Sequence, residues 1–164
     1  MNRNTIIIIF VLFFSSFNLL SQTRIAVLPF SNLDGNFEYN NWCYELQDSL
    51  TNALKEADPE EKFMVIVPAN EVIDALDDLN IDANTPSFDG DKWRIVSGLN
   101  VDRIISGSFR IVSNRVVINA FIYFPETQLL EPDFQARDVF RRKDRVLEAV
   151  PIIVRQLTPA FISQ

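Results

Sequence analysis

The sequence predicts an α/β fold: a mixed β-sheet packed by helices, with a C-terminal antiparallel hairpin and a terminal helix. Three observations predict it. Two continuously apolar runs, Ile25–Leu28 and Phe63–Val67, each stop at a proline and flank an amphipathic helical pattern. Residues 102–124 alternate as two long strands joined at Ser113-Asn114. A further helical stripe closes the chain.

Taken in order, residues 1–21 read as a secretory signal peptide. A short segment with Arg3 precedes the apolar run Ile6–Phe14, and Ser21 offers a small residue for cleavage before Gln22. The run is interrupted by Ser15, Ser16 and Asn18, so a membrane span of roughly 20 residues is disfavoured. Residues 22–164 then form one domain in this reading. Thr23–Phe30 is a strand buried on both faces, and Pro29 ends its ladder. Ser31–Asn36 is a loop by composition. A helix over residues 39–57 turns Trp42, Leu46, Leu50, Ala53 and Leu54 inward and Glu45, Gln47 and Asp48 outward. Cys43 lies at the core edge of that helix.

Phe63–Val67 is the second strand, expected parallel to the first because a helix lies between them. Asn70 is expected to cap a short helix carrying Val72, Ile73, Leu76 and Leu79. After a loop over Asn80–Asp89, Asp91 is expected to cap a second short helix that stops at Gly98. Asp102 is expected to hold the turn before the hairpin through backbone N–H groups.

A two-residue turn at Ser113-Asn114 pairs Val112 with Arg115, Phe109 with Ile118, Gly107 with Ala120 and Ile105 with Ile122. That register sorts Ile105, Phe109, Ile111, Val116, Ile118 and Ile122 onto one face. The second face carries Arg110, Val117, Phe121 and Tyr123 among polar residues, and a slip of one residue would destroy the sorting. Asp133–Phe140 adds a strand, with Phe134 and Ala136 on one face. The last helix, residues 144–162, has Val146, Leu147, Val150, Val154, Leu157 and Phe161 in its stripe, and Pro151 should kink or break it. Those apolar residues are expected to cover the second face of the hairpin.

Composition excludes several chemistries. The chain has no His and one Cys, so Ser-His and Cys-His nucleophile pairs, a Cys-based zinc site and an internal disulfide are ruled out. Four glycines, at 35, 90, 98 and 107, build no phosphate loop. No metal, cofactor or catalytic residue is assigned. Asn32–Glu38 offers oxygen ligands around Gly35 but lacks the twelve-residue calcium-loop spacing, so a turn is expected. Removing Arg3 with the leader takes the formal charge from −7 to −8, which disfavours nucleic acid. The basic run Arg137–Arg145 also contains Asp138 and Asp144 and reads as a solvated segment.

Ile25-Ala-Val-Leu-Pro-Phe30, the helix with Leu46, Leu50 and Leu54, and Val65-Ile-Val-Pro68 resemble the opening of TolB amino-terminal-like domains. Leu99-Asn-Val-Asp102-Arg-Ile-Ile-Ser-Gly107-Ser108-Phe is similar to that family's signature, in which Gly-Ser opens a strand. Envelope proteins of the CsgG, FlgO and LpoB type share this core, whose fold is also termed anticodon-binding-domain-like. The resemblance covers nearly all of residues 22–164. It implies a non-enzymatic periplasmic or secreted module that contacts other envelope proteins, compatible with self-association. No long insertion of the kind that builds a CsgG-type barrel is present, and no Cys stands near the cleavage point to carry a lipid. Anchoring by the N-terminal apolar segment is the alternative location.

Arg110, Val117, Phe121 and Tyr123 are the candidate partner surface, because Tyr, Phe and Arg are enriched at binding hot spots. The rival reading is a small-ligand-binding periplasmic domain. Its pocket would lie beside Pro29, Pro68 and the loop Ser31–Asn36.

Overall fold

The computed structural model describes residues 22–162. The signal-peptide reading of residues 1–21 lies outside the described residues. The elements are β1 (Thr23–Val27), β2 (Ser31–Asn32), a 3-10 turn (Phe37–Tyr39), α1 (Asn41–Ala57), β3 (Met64–Ile66), α2 (Ala69–Asp78), α3 (Phe88–Leu99), β4 (Arg103–Val112), β5 (Arg115–Phe124) and β6 (Leu129–Arg142). A 3-10 segment (Lys143–Ala149), α4 (Val150–Leu157) and α5 (Pro159–Ile162) follow.

One mixed sheet runs β3-β1-β4-β5-β6, with β2 added beside β4. β1 is parallel to β3 and β4, and β4, β5 and β6 form an antiparallel meander. The hairpin register is the one the alternation predicts, from Val112 opposite Arg115 to Ile105 opposite Ile122. Ser113 and Asn114 both take positive φ, 48° and 64°, which is the geometry a two-residue turn needs to match strand twist.

Two cores follow from the two sheet faces. On one face Ile25, Val27, Ile105, Phe109, Val116, Ile118 and Ile122 pack under Leu46, Leu50 and Leu54 of α1 and Val150, Ile153 and Leu157 of α4. On the other, Ala26, Leu28 and Ile104 pack under Val72 and Leu76 of α2 and Phe88, Ile95 and Val96 of α3. The terminal helix therefore does not cover the second hairpin face. It lies on the first, because that face is the wholly apolar one and offers more buried area.

Other local expectations shift for physical reasons. The Ser31–Asn36 loop contains β2, whose Ser31 and Asn32 pair with Ser108 and Phe109. Asn70 is not a cap: α2 starts one residue earlier, and Pro68 stands at its N-cap position. Nor does Asp91 cap α3. That helix starts at Phe88, whose ring is buried, and it runs through Gly98 to a left-handed Asn100 at φ 47°. Gln47 does not face solvent; it is 1% exposed and its Nε2 donates to the carbonyl of Val27 at 3.0 Å. Cys43 is fully buried rather than at the core edge, and burial pushes its thiol up to about 11. Leu147 is exposed, since the last helix is broken upstream of Pro151 by non-helical Arg145. Pro151 falls in the first turn of α4, where its missing N–H costs nothing.

Asp102 is a staple between strands, not a turn former. The Arg24 N–H donates to its Oδ2 at 2.8 Å, and the Asp102 N–H donates to the Arg24 carbonyl at 2.9 Å. Gly107 lies mid-strand and does not open β4. A Cβ on it would stand 2.1 Å from the Phe30 ring, so the glycine is what lets that ring lie against the sheet.

Candidate functional site

The second face of the meander is where the structure leaves chemistry open. α2 and α3 cover this side of the sheet over Ala26, Leu28 and Ile104 and reach Tyr123, but Phe121, Asn119 and Arg110 lie beyond them. At that boundary a cleft of about 510 Å³ forms, lined by Asn32 and Asp34, Asn84 and Thr85, Lys92, Ser106 and Ser108, and Phe121 and Tyr123. Its walls come from four places in the chain. The β2 loop is one wall. Its Asn32 side chain donates to the Asn36 carbonyl (2.9 Å) and to Asn40 Oδ1 (3.0 Å), and Asp34 Oδ2 accepts the Ile111 N–H. Asn32 Oδ1 in turn accepts the Asp34 N–H at 3.2 Å, so these bonds commit the Asn32 amide and one oxygen of Asp34 to holding the loop. Among the described residues no group of three Cys, Asp or Glu side chains is gathered to hold a metal ion.

Lys92 is the residue the sequence reading missed. It is 4% exposed although charged. Its ammonium pairs with Asp89, one turn earlier in α3, lies 3.5 Å from Ser106 Oγ, and stands 5.0 Å and 5.3 Å from the ring centroids of Tyr123 and Trp93. Those rings meet edge to face at 5.7 Å. A buried cation needs such partners, because desolvation is otherwise prohibitive. Burial, followed by the Asp89 charge, pushes the Tyr123 phenol above its ordinary range, so it is a neutral hydrogen-bonding group at neutral pH. A sequence signal was present: helical periodicity places Lys92 with Ile95, Val96 and Leu99 once Phe88 is taken as the helix start.

The four candidate surface residues do not behave alike. Phe121 and Tyr123 are half-buried and line the cleft together. The Arg137 guanidinium stands 5.4 Å from the Phe121 ring centroid. Arg110 is exposed. Val117 is 1% exposed and presents no surface; its cross-strand neighbours Arg110 and Phe140 flank it on the same face. Of the rival pocket, only the Ser31–Gly35 loop reaches the cleft, while Pro29 and Pro68 do not line it.

No protein-family model matches the chain. No curated protein matches it either. Solved structures do. The LpoB C-terminal domain from Salmonella enterica aligns at a TM-score of 0.51 and 11% identity, over 81% of this chain and 92% of that one. The chain shares its fold with the LpoB C-terminal domain. The NMR structure of E. coli LpoB aligns at 0.55 and 13% identity, covering 74% of this chain and 59% of that one. Lipoprotein GNA1162 from Neisseria meningitidis aligns at 0.54 and 14% identity, over 82% and 96%. At these identities the likeness to LpoB and GNA1162 is one of fold. No helix among the described residues is long and apolar enough to cross a membrane.

Proposed function

We propose that this chain is an exported, non-enzymatic envelope protein that acts as a protein-interaction or assembly module. Its partner surface is the meander face that begins at Tyr123, where the helical cover ends, and runs on through Phe121 to Arg110. One observation carries the reading: an Arg- and aromatic-bearing strip of sheet lies outside the helical cover beside an open cleft. Half-buried aromatic rings beside an exposed arginine are the composition of interface hot spots. The fold shared with LpoB and GNA1162 domains supports an envelope setting, as does the resemblance to TolB amino-terminal-like domains. Export with cleavage before Gln22 belongs to the same proposal. Amino-terminal sequencing that begins at Gln22 supports it, and an intact Met1 in the membrane fraction overturns it.

The cleft itself favours a second reading, a small-ligand-binding periplasmic domain. Its volume of about 510 Å³ lies within the roughly 300–1,000 Å³ typical of ligand pockets. Substitution separates the two. Arg110→Ala, at an exposed residue outside the cleft lining, should weaken recovery of a specific envelope partner by affinity purification, with an unchanged melt. Lys92→Met with Thr85→Ala alters the cleft and should leave that recovery intact. Loss of recovery only in the cleft variant would favour the ligand reading.

A further inference from the structure

We propose that the cleft between the β2 loop, α3 and the meander binds a neutral saccharide. This deepens the ligand-binding reading of the cleft and rests on it. Strand register sets the floor. Ser106 lies opposite Phe121, and Ser108 and Tyr123 each stand two residues further along those strands. Alternation therefore puts all four side chains on one face of the sheet, and all four line the cleft of about 510 Å³. Two carboxylates, Asp34 on the β2 loop and Asp89 on α3, and one ammonium, Lys92, make up its charged lining.

The charges already present select against a charged ligand. Lys92 is paired with Asp89, and Asp34 has no cationic partner among the described residues. The lining is thus net negative, as is the chain at −7, and an anion is repelled. A cation finds both aromatic rings already served. The Lys92 ammonium stands 5.0 Å from the Tyr123 ring centroid, and the Arg137 guanidinium stands 5.4 Å from that of Phe121. A wholly apolar ligand would strip water from Asp34 and the hydroxyls and return no hydrogen bond. The groups left to satisfy are of mixed kind. Asp34 spends one oxygen on the Ile111 N–H, and its other oxygen can only accept. The hydroxyls of Ser108 and Tyr123 have no hydrogen-bond partner among the described residues, and each can donate or accept. A sugar hydroxyl also does both, so neighbouring hydroxyls of one ring can donate to Asp34 and accept from Ser108 or Tyr123. The C–H face of that ring is apolar and suits the half-buried Phe121 ring in the floor.

The test follows the backbone amide resonances of the isotopically labelled full chain at fixed pH and ionic strength. The neutral probes are glucose, galactose, mannose and N-acetylglucosamine. Glucuronate and glucosamine carry a charge on the same type of ring, and inorganic phosphate and choline are charged ligands without one. Saturable shifts at Ser108, Phe121 and Tyr123 with at least one neutral sugar, and weaker binding of glucuronate and glucosamine than of glucose, are expected. Tyr123→Phe removes the hydroxyl and keeps the ring, and Ser108→Ala removes a hydroxyl without a protein partner. Each should weaken the sugar about two- to tenfold with an unchanged melt. Arg155→Gln, exposed and outside the lining, should change nothing. Affinity unchanged in both hydroxyl variants overturns the site. Tighter binding of a charged ring than of its neutral counterpart, or shifts with phosphate or choline and none with the neutral sugars, overturns the saccharide assignment and leaves the ligand-binding reading standing. Cleft amides that move with none of the probes overturn both.

Discussion

β1 and β3 lie between helices on both faces, whereas β5 and β6 are covered on one face and open on the other. The sequence of each region explains the difference. Ile25-Ala-Val-Leu28 has no polar residue to keep in water, so both faces need cover and the strand is parallel to both neighbours. β5 alternates Val116, Ile118, Ala120 and Ile122 with Arg115, Asn119, Phe121 and Tyr123, so one layer of helix satisfies it. Charge divides along the same line, with the acids on the helical part and the arginines on the meander. The doubly covered half holds the fold, and the singly covered half is free to present side chains.

The largest test of that contrast uses two adjacent residues on β4. Phe109 is fully buried on the covered face and Arg110 is exposed on the open one. Phe109→Ala should cost about 3–5 kcal/mol in urea unfolding, and Arg110→Ala should lie within about 0.5 kcal/mol of the parent. Equal losses would show that the open face is a core after all.

Gly107→Ala comes next. The added methyl meets the Phe30 ring at 2.1 Å, and forcing that buried ring aside should cost about 1–3 kcal/mol. Phe30→Leu in the same chain should recover part of the loss if the clash is the cause. An unchanged midpoint for Gly107→Ala alone would mean that the ring has room to move.

A third test sits at the edge of the covered half. Asp58 accepts the N–H groups of Lys62, Phe63 and Met64, at 3.0, 2.7 and 2.9 Å, as the chain enters β3. Burial alone would raise its pKa, but those three donors and the Lys62 charge outweigh it and hold the carboxyl below its ordinary value. A depressed folded value means that its stabilisation is present above the unfolded pKa of about 3.9 and is lost as pH falls through the folded one. Asp58→Ala should cost about 1–3 kcal/mol at neutral pH. The gap between variant and parent should narrow as the pH is taken below 4, and a gap independent of pH would show that the charge plays no part.

The smallest effect is expected at the open end. Ser113 holds φ at 48° and Asn114 at 64°, a geometry that Asn-Gly adopts at less cost than Ser-Asn. Replacing the pair by Asn-Gly should stabilise by less than about 1 kcal/mol, because relief of the positive φ is partly offset by the entropy glycine loses on folding. A destabilised hairpin would mean that the Ser113 or Asn114 side chain has a role the backbone does not show.

Much of the fold was legible because it rests on near neighbours. Alternation along residues 104–123 gives the hairpin register, since a slip of one residue would expose Phe109 and bury Arg110. Helix starts were misread where packing, not a polar cap, decides them. Phe88 begins α3 because its ring is buried against Ile95 and Val96, and this phase is what turns Lys92 inward. Of the residues that alternation puts on the second hairpin face, Phe121 and Tyr123 line the cleft and Arg110 is exposed, but Val117 is buried and Lys92 was not anticipated.

The sequence by itself determined the strands other than β2, their order of polar and apolar positions, the turn, and that no His is available to any chemistry. These depend on local sterics, on solvation and on which groups exist. Only the tertiary structure decided that α4 would join α1 on the apolar face and leave the other open. It alone set Phe30 on Gly107 and brought Arg115 to Arg142. Each of those contacts joins residues far apart in the chain, and the total burial of the whole assembly selects them. No local pattern contains that sum.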